Sequence, residues 1–240
     1  KAILFDLDGT LLPIDEKQFI NEYFSKLGTY TKQFGYNPND VINAVVGGLK
    51  KMYENNGSQT NEDAFWNYFC DCFGAEKVND KPKFNKFYET EFDTLKTTTT
   101  PNPYAKPLIE VAKQNFDLVI ISTNPLFPKP GTLTRLKWLG FKEDDFNLVT
   151  TYENSHFSKP NPNYFKEILE KFDLKPSDCI LVGNDEFEDY FAATSIGIET
   201  YLVGNHIIES DKVKNKPKHY TFEEIIEILK YSNKKYNQTL

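Results

Sequence analysis

One stretch near the start of the chain decides its fold: Ala2-Ile3-Leu4-Phe5-Asp6-Leu7-Asp8-Gly9-Thr10-Leu11-Leu12. Its apolar start predicts a buried β-strand that runs directly into two aspartates and a glycine. Ligands of an open α/β sheet bind at the carboxyl ends of the strands, so we expect Asp6 and Asp8 to lie in that crevice, on one face. Carboxylates this close repel each other unless a cation lies between them or one is protonated. The stretch therefore predicts a site for chemistry at the end of the strand.

Length and charge limit the classes of protein to which this chain can belong. A chain of 240 residues can bury one substantial core, or one core and a smaller inserted domain. A net charge of −7 leaves no overall basic surface, so we expect no nucleic-acid partner. No apolar run approaches the roughly 20 residues of a membrane helix, and the first residues lack the pattern of a secretory signal. We therefore expect no membrane partner and a cytoplasmic location.

Cysteine and histidine residues form no recognisable disulfide or zinc pattern. The three cysteines, Cys70, Cys72 and Cys179, give no paired framework, and the first two are too close for a helix to bridge comfortably. Histidine occurs at three scattered positions, none of them between residues 15 and 100. A zinc site needs more such ligands at suitable spacing, so we expect reduced cysteines and no zinc site.

Helical periodicity without a convincing strand extends over residues 15–100. Apolar residues recur there at intervals of three and four in four segments, each of which predicts one face of a helix. Four such helices can close a small bundle, with most aromatic residues in its core and a minority facing a substrate. Pro13–Asp15 and Thr97–Pro103 have the character of linkers and predict a hinge. We expect this helical domain to be inserted into a second domain formed by residues 1–14 and 101–240.

Alternating helix and strand patterns return in the second half of the chain. An apolar strand that begins near Phe116 ends in Ser122, Thr123 and Asn124, whose hydroxyl and amide groups can hold a phosphate. Lys159 stands directly before a predicted helix that has an asparagine cap and a proline in its first turn. Its ammonium group would therefore be held in a constrained position, where it can neutralise a phosphate.

These segments, together with an acidic one after the apolar strand 179–183, resemble in type and order the four motifs of the haloacid dehalogenase superfamily. The resemblance is to the phosphatase-like branch, in which a helical cap is inserted after the first motif. It covers residues 1–14 and about 101–231, whereas the insert is similar to the cap only in position and helix content. It implies an α/β fold, a Rossmann-like doubly wound parallel sheet with an inserted α-helical bundle as its cap domain.

Roles for individual residues are also implied by the resemblance. Asp6 would be the nucleophile, and Asp8 the general acid and base. The usual Thr-Asn ending of the second motif selects Thr123 over Ser122, so Thr123, Asn124 and Lys159 would bind the transferring phosphoryl group. A small phosphate monoester would be hydrolysed through an aspartyl-phosphate.

The fourth motif departs from the commoner family pattern, because Asn184 stands directly after the glycine where an aspartate is usual. A hard cation such as Mg²⁺ prefers anionic oxygens to an amide. We therefore expect Asp6, Asp8 and Asp185 to bind Mg²⁺, with Asp8 contributing its backbone carbonyl. Asn184 is the alternative ligand, and Asp189 has a supporting role.

Other functions remain open alongside a phosphatase acting on a small-molecule phosphate ester as a monomer or weak homodimer. A dehalogenase of this superfamily lacks the second aspartate, which argues against that activity. A phosphomutase commonly has a histidine in the cap, which is absent here, and a phosphonatase would need a cap lysine, for which Lys17, Lys26 or Lys32 are candidates. A catalytically silent binding or regulatory protein with the same fold is the alternative from another class.

Overall fold

A parallel β-sheet forms the centre of the molecule in this computed structural model, which describes residues 1–236. Within those residues the sheet has six strands in the order β3-β2-β1-β4-β5-β6, the doubly wound order of Rossmann folds. The strands are β1 Ala2–Phe5, β2 Leu118–Ile121, β3 Leu148–Val149, β4 Cys179–Gly183, β5 Glu199–Val203 and β6 His219–Tyr220. The expected fold class is confirmed.

Strand β1 is central because every one of its side chains is apolar and fully buried. It pairs with β2 on one side and β4 on the other, so that Phe5 is in register with both Ile121 and Val182. The order of the strands reverses here, and Asp6 follows β1 at this point. The crevice expected to bind a ligand therefore opens directly at Asp6.

Helices cover both faces of the sheet, as the alternating pattern predicts. Helices α5 (Ala105–Asn115) and α9 (Phe222–Tyr236) pack against each other and against the face formed by Ile3 and Phe5. Helices α7 (Pro162–Lys171) and α8 (Ala192–Thr194) cover the opposite face. The remaining helices of this part are α6 Lys129–Trp138, the 3₁₀ turns Glu143–Asp145 and Pro176–Asp178, and the π-helix Glu186–Phe191.

The predicted helices of the insert are confirmed. They are α1 Glu16–Thr31, α2 Pro38–Tyr53, α3 Asn61–Phe73 and α4 Lys81–Glu89, joined by 3₁₀ segments Lys32–Phe34, Ala75–Asp80 and Glu91–Thr98. Side chains of Asp15, Asn37 and Thr60 accept hydrogen bonds from the first turns of α1, α2 and α3. Aromatic rings fill the space between these helices at centroid distances of 4.9–6.3 Å.

Three sets of contacts join the insert to the sheet. The two predicted linkers lie side by side, where Ile14 and Thr99 form an antiparallel bridge. The buried amide of Asn61 donates to the carbonyls of Pro125 and Phe157, and the Asn61 backbone N–H donates to the Ser155 carbonyl at 2.8 Å. Helix α6 also packs against α4 and the segment Glu91–Thr98. The linkers are therefore not the only tie between the two parts.

Strand β6 was not predicted from the sequence. It contains only His219 and Tyr220, which have no apolar run to mark them, and it is formed by pairing with Leu202 and Val203 at the edge of the sheet. Among residues 1–236, no helix has both the length and the apolar character needed to span a membrane.

Candidate active site

Asp6 and Lys159 form the buried centre of the site. Asp6 follows β1, and Lys159 stands before α7, whose N-terminus is capped by Asn161 as expected. The Nζ atom of Lys159 lies 2.8 Å from Oδ1 of Asp6 and 2.6 Å from Oδ1 of Asp189. Only 1% of Lys159 is exposed, so its charge acts on these carboxylates in a poorly solvated environment.

Burial and charge compete in setting the ionisation of this centre. Burial raises the pKa of Asp6 to about 7, against the attraction of the Lys159 ammonium. Burial disfavours the charged form of Lys159, but Asp189 and Asp6 outweigh it and raise the pKa of Lys159 well above its ordinary range. Lys159 is therefore a permanent cation beside the carboxylate.

Thr10 links the first and fourth motifs. Its hydroxyl lies 3.0 Å from Oδ2 of Asp6 and 3.0 Å from Oδ1 of Asn184, and Nδ2 of Asn184 donates to the His206 carbonyl. Gly9 permits this approach, because it has a φ of +84° and a Cβ there would lie 2.3 Å from the Asn184 amide nitrogen. Asn184 thus packs directly against the turn that carries the paired aspartates.

Asp8 has a partner that sequence patterns did not reveal. Its carboxylate forms an ion pair with Nη1 of Arg135 on α6, and Arg135 is 1% exposed. The guanidinium also lies 4.3 Å from the centroid of the Phe127 ring. The other carboxylate oxygen of Asp8 is buried and has no hydrogen-bond partner among the described residues. One available signal was that Arg135 is the only arginine in the chain.

Two hydroxyl residues, Ser122 and Thr123, directly follow β2. The hydroxyl of Thr123, preferred as the phosphate ligand, donates to the Thr150 carbonyl at 3.1 Å on the side of β3. Ser122 continues the register of β2 beside Asp6, and its buried hydroxyl has no partner within the described part of the chain. Asn124 donates to Glu188 at 2.8 Å. Both hydroxyl residues are buried, with Ser122 0% and Thr123 1% exposed.

The acidic segment after β4 folds back over the strand end. Asp185 accepts hydrogen bonds from the backbone of Phe187 and Glu188, each at 2.7 Å, and so caps the π-helix. Asp189, one turn later, lies over Gly183 and accepts from the backbone N–H of Asn184 at 3.0 Å. Burial raises the pKa of Asp185 and raises that of Glu188 to about 7.

The residues expected to bind Mg²⁺ would use two side chains, those of Asp6 and Asp185, and the backbone carbonyl of Asp8. Within residues 1–236, no three acidic, histidine or cysteine side chains form a group that could hold a metal ion. Arg135 holds the carboxylate of Asp8, Lys159 holds that of Asp6, and Asp185 caps a helix. Any metal bound here would therefore need backbone or amide oxygens as well.

The charge of the site nevertheless fits a divalent cation. Five of the carboxylates that line the crevice lie at the strand ends or in the segment after β4, and the two cations in contact with them are Lys159 and Arg135. The carboxylates are those of Asp6, Asp8, Asp185, Glu188 and Asp189. Carboxylates thus outnumber the cations here, two of them, Asp6 and Asp189, are buried, and one oxygen of Asp8 has no partner among the described residues; this is the donor chemistry that Mg²⁺ prefers.

A cavity of about 350 Å³ extends from these carboxylates into the helical insert. Side chains from α1, α2, α3 and α4 line its far side, and Phe127 and Arg135 line the near side. Its size falls within the range of small-molecule sites. The strand ends and the insert therefore enclose a single space next to Asp6 and Asp8.

Comparisons with known proteins agree with this arrangement. A sequence model of the family described as haloacid dehalogenase-like hydrolase matches residues 3–203. The pyrophosphatase PpaX of Bacillus cereus (strain G9842) is 25% identical over 204 residues, which cover 84% of this chain and 82% of that protein. The glyceraldehyde 3-phosphate phosphatase of Methanothermobacter thermautotrophicus is 30% identical over 105 residues, 44% of this chain and 45% of that protein.

A solved structure gives the same result for the fold. The crystal structure of an HAD phosphatase from Thermococcus onnurineus superposes with a TM-score of 0.60 at 21% identity, over 95% of this chain and 97% of that one. At this level of identity the likeness establishes a shared fold.

Proposed function

The chain belongs to the haloacid dehalogenase-like hydrolases and is of the phosphatase type, and on this premise we propose that it hydrolyses a small phosphate monoester with the help of Mg²⁺. One observation carries the proposal. Asp6 lies at the centre of the sheet, 2.8 Å from the buried ammonium of Lys159 and open to a cavity of ligand size. A carboxylate nucleophile, a fixed cation and a substrate space are thereby combined.

Two transfers of the phosphoryl group complete the reaction. The carboxylate of Asp6 attacks phosphorus, the bond from phosphorus to the leaving oxygen breaks, and this oxygen takes a proton from Asp8. Water then attacks the aspartyl-phosphate while Asp8 accepts its proton, which releases inorganic phosphate and restores Asp6. Lys159 offsets the repulsion between the anionic nucleophile and the phosphate dianion.

A hydroxyl at the end of β2 would position the transferring group. Motif resemblance selects Thr123 for this role, and Ser122, whose buried hydroxyl has no partner among the described residues, is the alternative. Asn124, which donates to Glu188 and to the Lys159 carbonyl, would hold the lysine loop against the strand end rather than bind the phosphate alone.

The metal would be held by Asp6, the backbone carbonyl of Asp8 and Asp185, with Asn184 as the alternative ligand. Asp189 would support these groups through Lys159 and the backbone of Asn184. When bound, Mg²⁺ would supply positive charge that stabilises the transferring phosphoryl oxygens.

Features of the insert argue against the related reactions. No histidine occurs in residues 15–100, so the residue that a phosphomutase commonly uses is absent. A phosphonatase would need a lysine facing the substrate, but none of Lys17, Lys26 and Lys32 lines the cavity. A silent binding protein would have no need of Asp8 beside a buried nucleophile.

We also propose that the domain boundaries lie at 14/15 and 100/101, and that the protein is cytoplasmic and is a monomer or a weak homodimer. The absence of a nucleic-acid partner belongs to the same proposal, and the net charge of −7 supports it.

Release of phosphate from p-nitrophenyl phosphate by the purified protein tests the proposed function. We expect turnover with Mg²⁺, its loss after complete chelation and recovery on adding Mg²⁺ back. Asp6→Asn serves as the matched inactive control. Undiminished turnover in excess chelator contradicts the metal requirement, and the absence of turnover for all phosphate esters supports the silent alternative.

A further inference from the structure

The cavity beyond the reacting centre has walls that are chiefly apolar and aromatic. Phe19, Tyr23 and Phe24 of α1 face it from one side, and Trp66 and Phe84 from α3 and α4. Several of these rings also pack against one another, which gives the space a rigid wall. A ring or hydrocarbon placed there would replace water against apolar surface, which is favourable.

Charge in the cavity is distributed unevenly. All but one of the carboxylates that line it are at the strand ends or in the turn after β4, and the exception, Glu16, is in the first turn of α1. Among its described lining residues, the only cation is Arg135, which is already ion-paired with Asp8. A second anionic group on a substrate would meet these carboxylates without a free cation to pair with.

The cavity also has an entrance. Ile20 on α1 is 49% exposed and Tyr53 at the end of α2 is 44% exposed, yet both line the cavity. The opening therefore lies between α1 and α2, on the side of the strand ends. A substrate can enter with its apolar part toward the insert and its phosphate toward Asp6.

We propose that the leaving group of the substrate is an uncharged apolar alcohol that carries a ring and occupies this cavity. The inference rests on the proposed phosphatase function and adds the substrate class. It separates this chain from a pyrophosphatase, because the leaving group from pyrophosphate is itself an anion and the aromatic rings of this cavity offer it no cation.

Matched esters of primary alcohols test the substrate class, because their leaving oxygens are chemically similar. We expect kcat/KM for 2-phenylethyl phosphate to exceed that for phosphoglycolate by about 10- to 100-fold, the gain from burying one aromatic ring. Pyrophosphate should be turned over no better than phosphoglycolate. If none of the esters is hydrolysed, the proposed function fails; if phosphoglycolate or pyrophosphate is preferred, only the substrate class is wrong.

A charge placed in the cavity provides the second arm. Phe24 is half-buried and lines the cavity, whereas Phe34 is half-buried in the same insert outside it. Phe24→Lys should lower the ratio of kcat/KM for 2-phenylethyl phosphate over phosphoglycolate by about tenfold or more, and Phe34→Lys should leave this ratio unchanged. An unchanged ratio in Phe24→Lys overturns the inference.

A variant that fills the cavity with a larger side chain keeps the test decisive if Phe24→Lys does not fold. Leu49 of α2 is half-buried and lines the same cavity. Leu49→Trp should lower the ratio of kcat/KM for 2-phenylethyl phosphate over methyl phosphate by about tenfold, because only the larger ester needs the space. Equal values for both esters, relative to the unmodified chain, contradict the inference.

Discussion

The guanidinium of Arg135 is ion-paired with the carboxylate of Asp8, although the two residues lie 127 positions apart in the chain. Arg135 is the only arginine among the 28 lysines and arginines of the chain. Nε of Arg135 donates to the Gly131 carbonyl and Nη2 to the Thr132 hydroxyl, each at 3.3 Å, while its plane faces Phe127. A lysine has no planar fork with which to make these contacts together. Arg135 therefore holds the carboxylate of Asp8 in one orientation.

Replacing Arg135 tests whether this orientation matters for proton transfer. We expect Arg135→Met to lower kcat for an alkyl phosphate about 10- to 100-fold, because misplacing a catalytic group by about 1 Å can cost this much. The kcat of this variant for esters of acidic phenols should fall much less, since their leaving group departs without a proton. Arg135→Lys should recover little of the loss. Lys137→Met, at an exposed position of the same helix, is the matched control. An equal loss for both classes of ester would indicate a purely structural role.

Substitutions of the paired aspartates should separate their roles. Asp6→Asn removes the proposed nucleophile, so activity should fall by orders of magnitude and no covalent intermediate should form. Asp8→Asn removes proton transfer, a contribution of about a hundred- to ten-thousandfold, and with it the ion pair to Arg135, but it keeps the proposed nucleophile. Asp8→Asn protein mixed with an aryl phosphate and Mg²⁺ should accumulate a phosphoryl adduct, detectable by intact-mass measurement. An adduct in Asp6→Asn instead would reverse the assignment.

Asp6 should reduce the stability of the metal-free protein at neutral pH. Burial raises the pKa of Asp6 to about 7 from an ordinary value of 3.8, so its contribution to stability is complete below pH 3.8 and is lost as the pH rises through 7. An asparagine at position 6 does not ionise, so it does not lose stability as the pH rises. Its amide can donate to Thr10 while Thr10 donates to Asn184.

Thermal unfolding in chelator measures this effect. We expect the Tm of Asp6→Asn to exceed that of the unmodified chain by at least about 2 °C at pH 8, and the difference to shrink toward pH 5. Lys159 keeps Asp189 as its partner in the variant. A lower Tm for Asp6→Asn at pH 8 would show that the ion pair with Lys159 outweighs the cost of burial.

Asn61 should govern the docking of the insert on the sheet. Besides its bonds to Pro125 and Phe157, its amide donates to the Ser158 hydroxyl at 3.0 Å and its oxygen accepts from Asn55 at 2.9 Å. Asn61→Ala leaves buried groups unpaired and should destabilise the protein by about 2–4 kcal/mol in urea unfolding.

Hydrogen exchange distinguishes loosening of the insert from a general loss of stability. The hinge predicted at the linkers requires the Glu62 amide, which donates to the Tyr152 carbonyl at 2.8 Å, to exchange whenever the insert opens. Asn61→Ala should accelerate hydrogen exchange at this amide more than at the amides in the middle of α3. The side chain of Asn67 is exposed on the same helix, and Asn67→Ala should not have this effect. Uniform acceleration along α3 would argue against movement of the insert as a body.

Local patterns were sufficient for the elements that carry the motifs. The apolar run of β1, the cap at Asn161 and the helical periodicity of α1 each depend on residues within one or two turns of each other. Such short-range signals persist whatever the rest of the chain does. They placed Asp6, Asp8 and Lys159 at element ends, and the parallel sheet then brought Asp6 and Lys159 together.

The second motif has features that local sequence patterns could not predict. Ser122 and Thr123 are adjacent hydroxyl residues at one strand end. Successive side chains of a strand point to opposite faces of the sheet, so a shift of one residue along the strand would exchange the faces of these two. Motif resemblance selected Thr123, whereas only the structure shows that the Thr123 hydroxyl donates to the Thr150 carbonyl beside β3 and that the buried Ser122 hydroxyl has no partner among the described residues. The two-residue strand β6 likewise exists only through its pairing with β5.

The sequence by itself determined the α/β class, the inserted helices and the order of the proposed site residues, because these follow from periodicity, capping and strand-end chemistry along the chain. Only the tertiary structure decided which distant groups meet. The pairing of Arg135 with Asp8 and the aromatic walls beside them arise where α6 and the insert pack over the sheet. Contacts between residues more than 100 positions apart depend on the packing of whole elements, which no local pattern encodes.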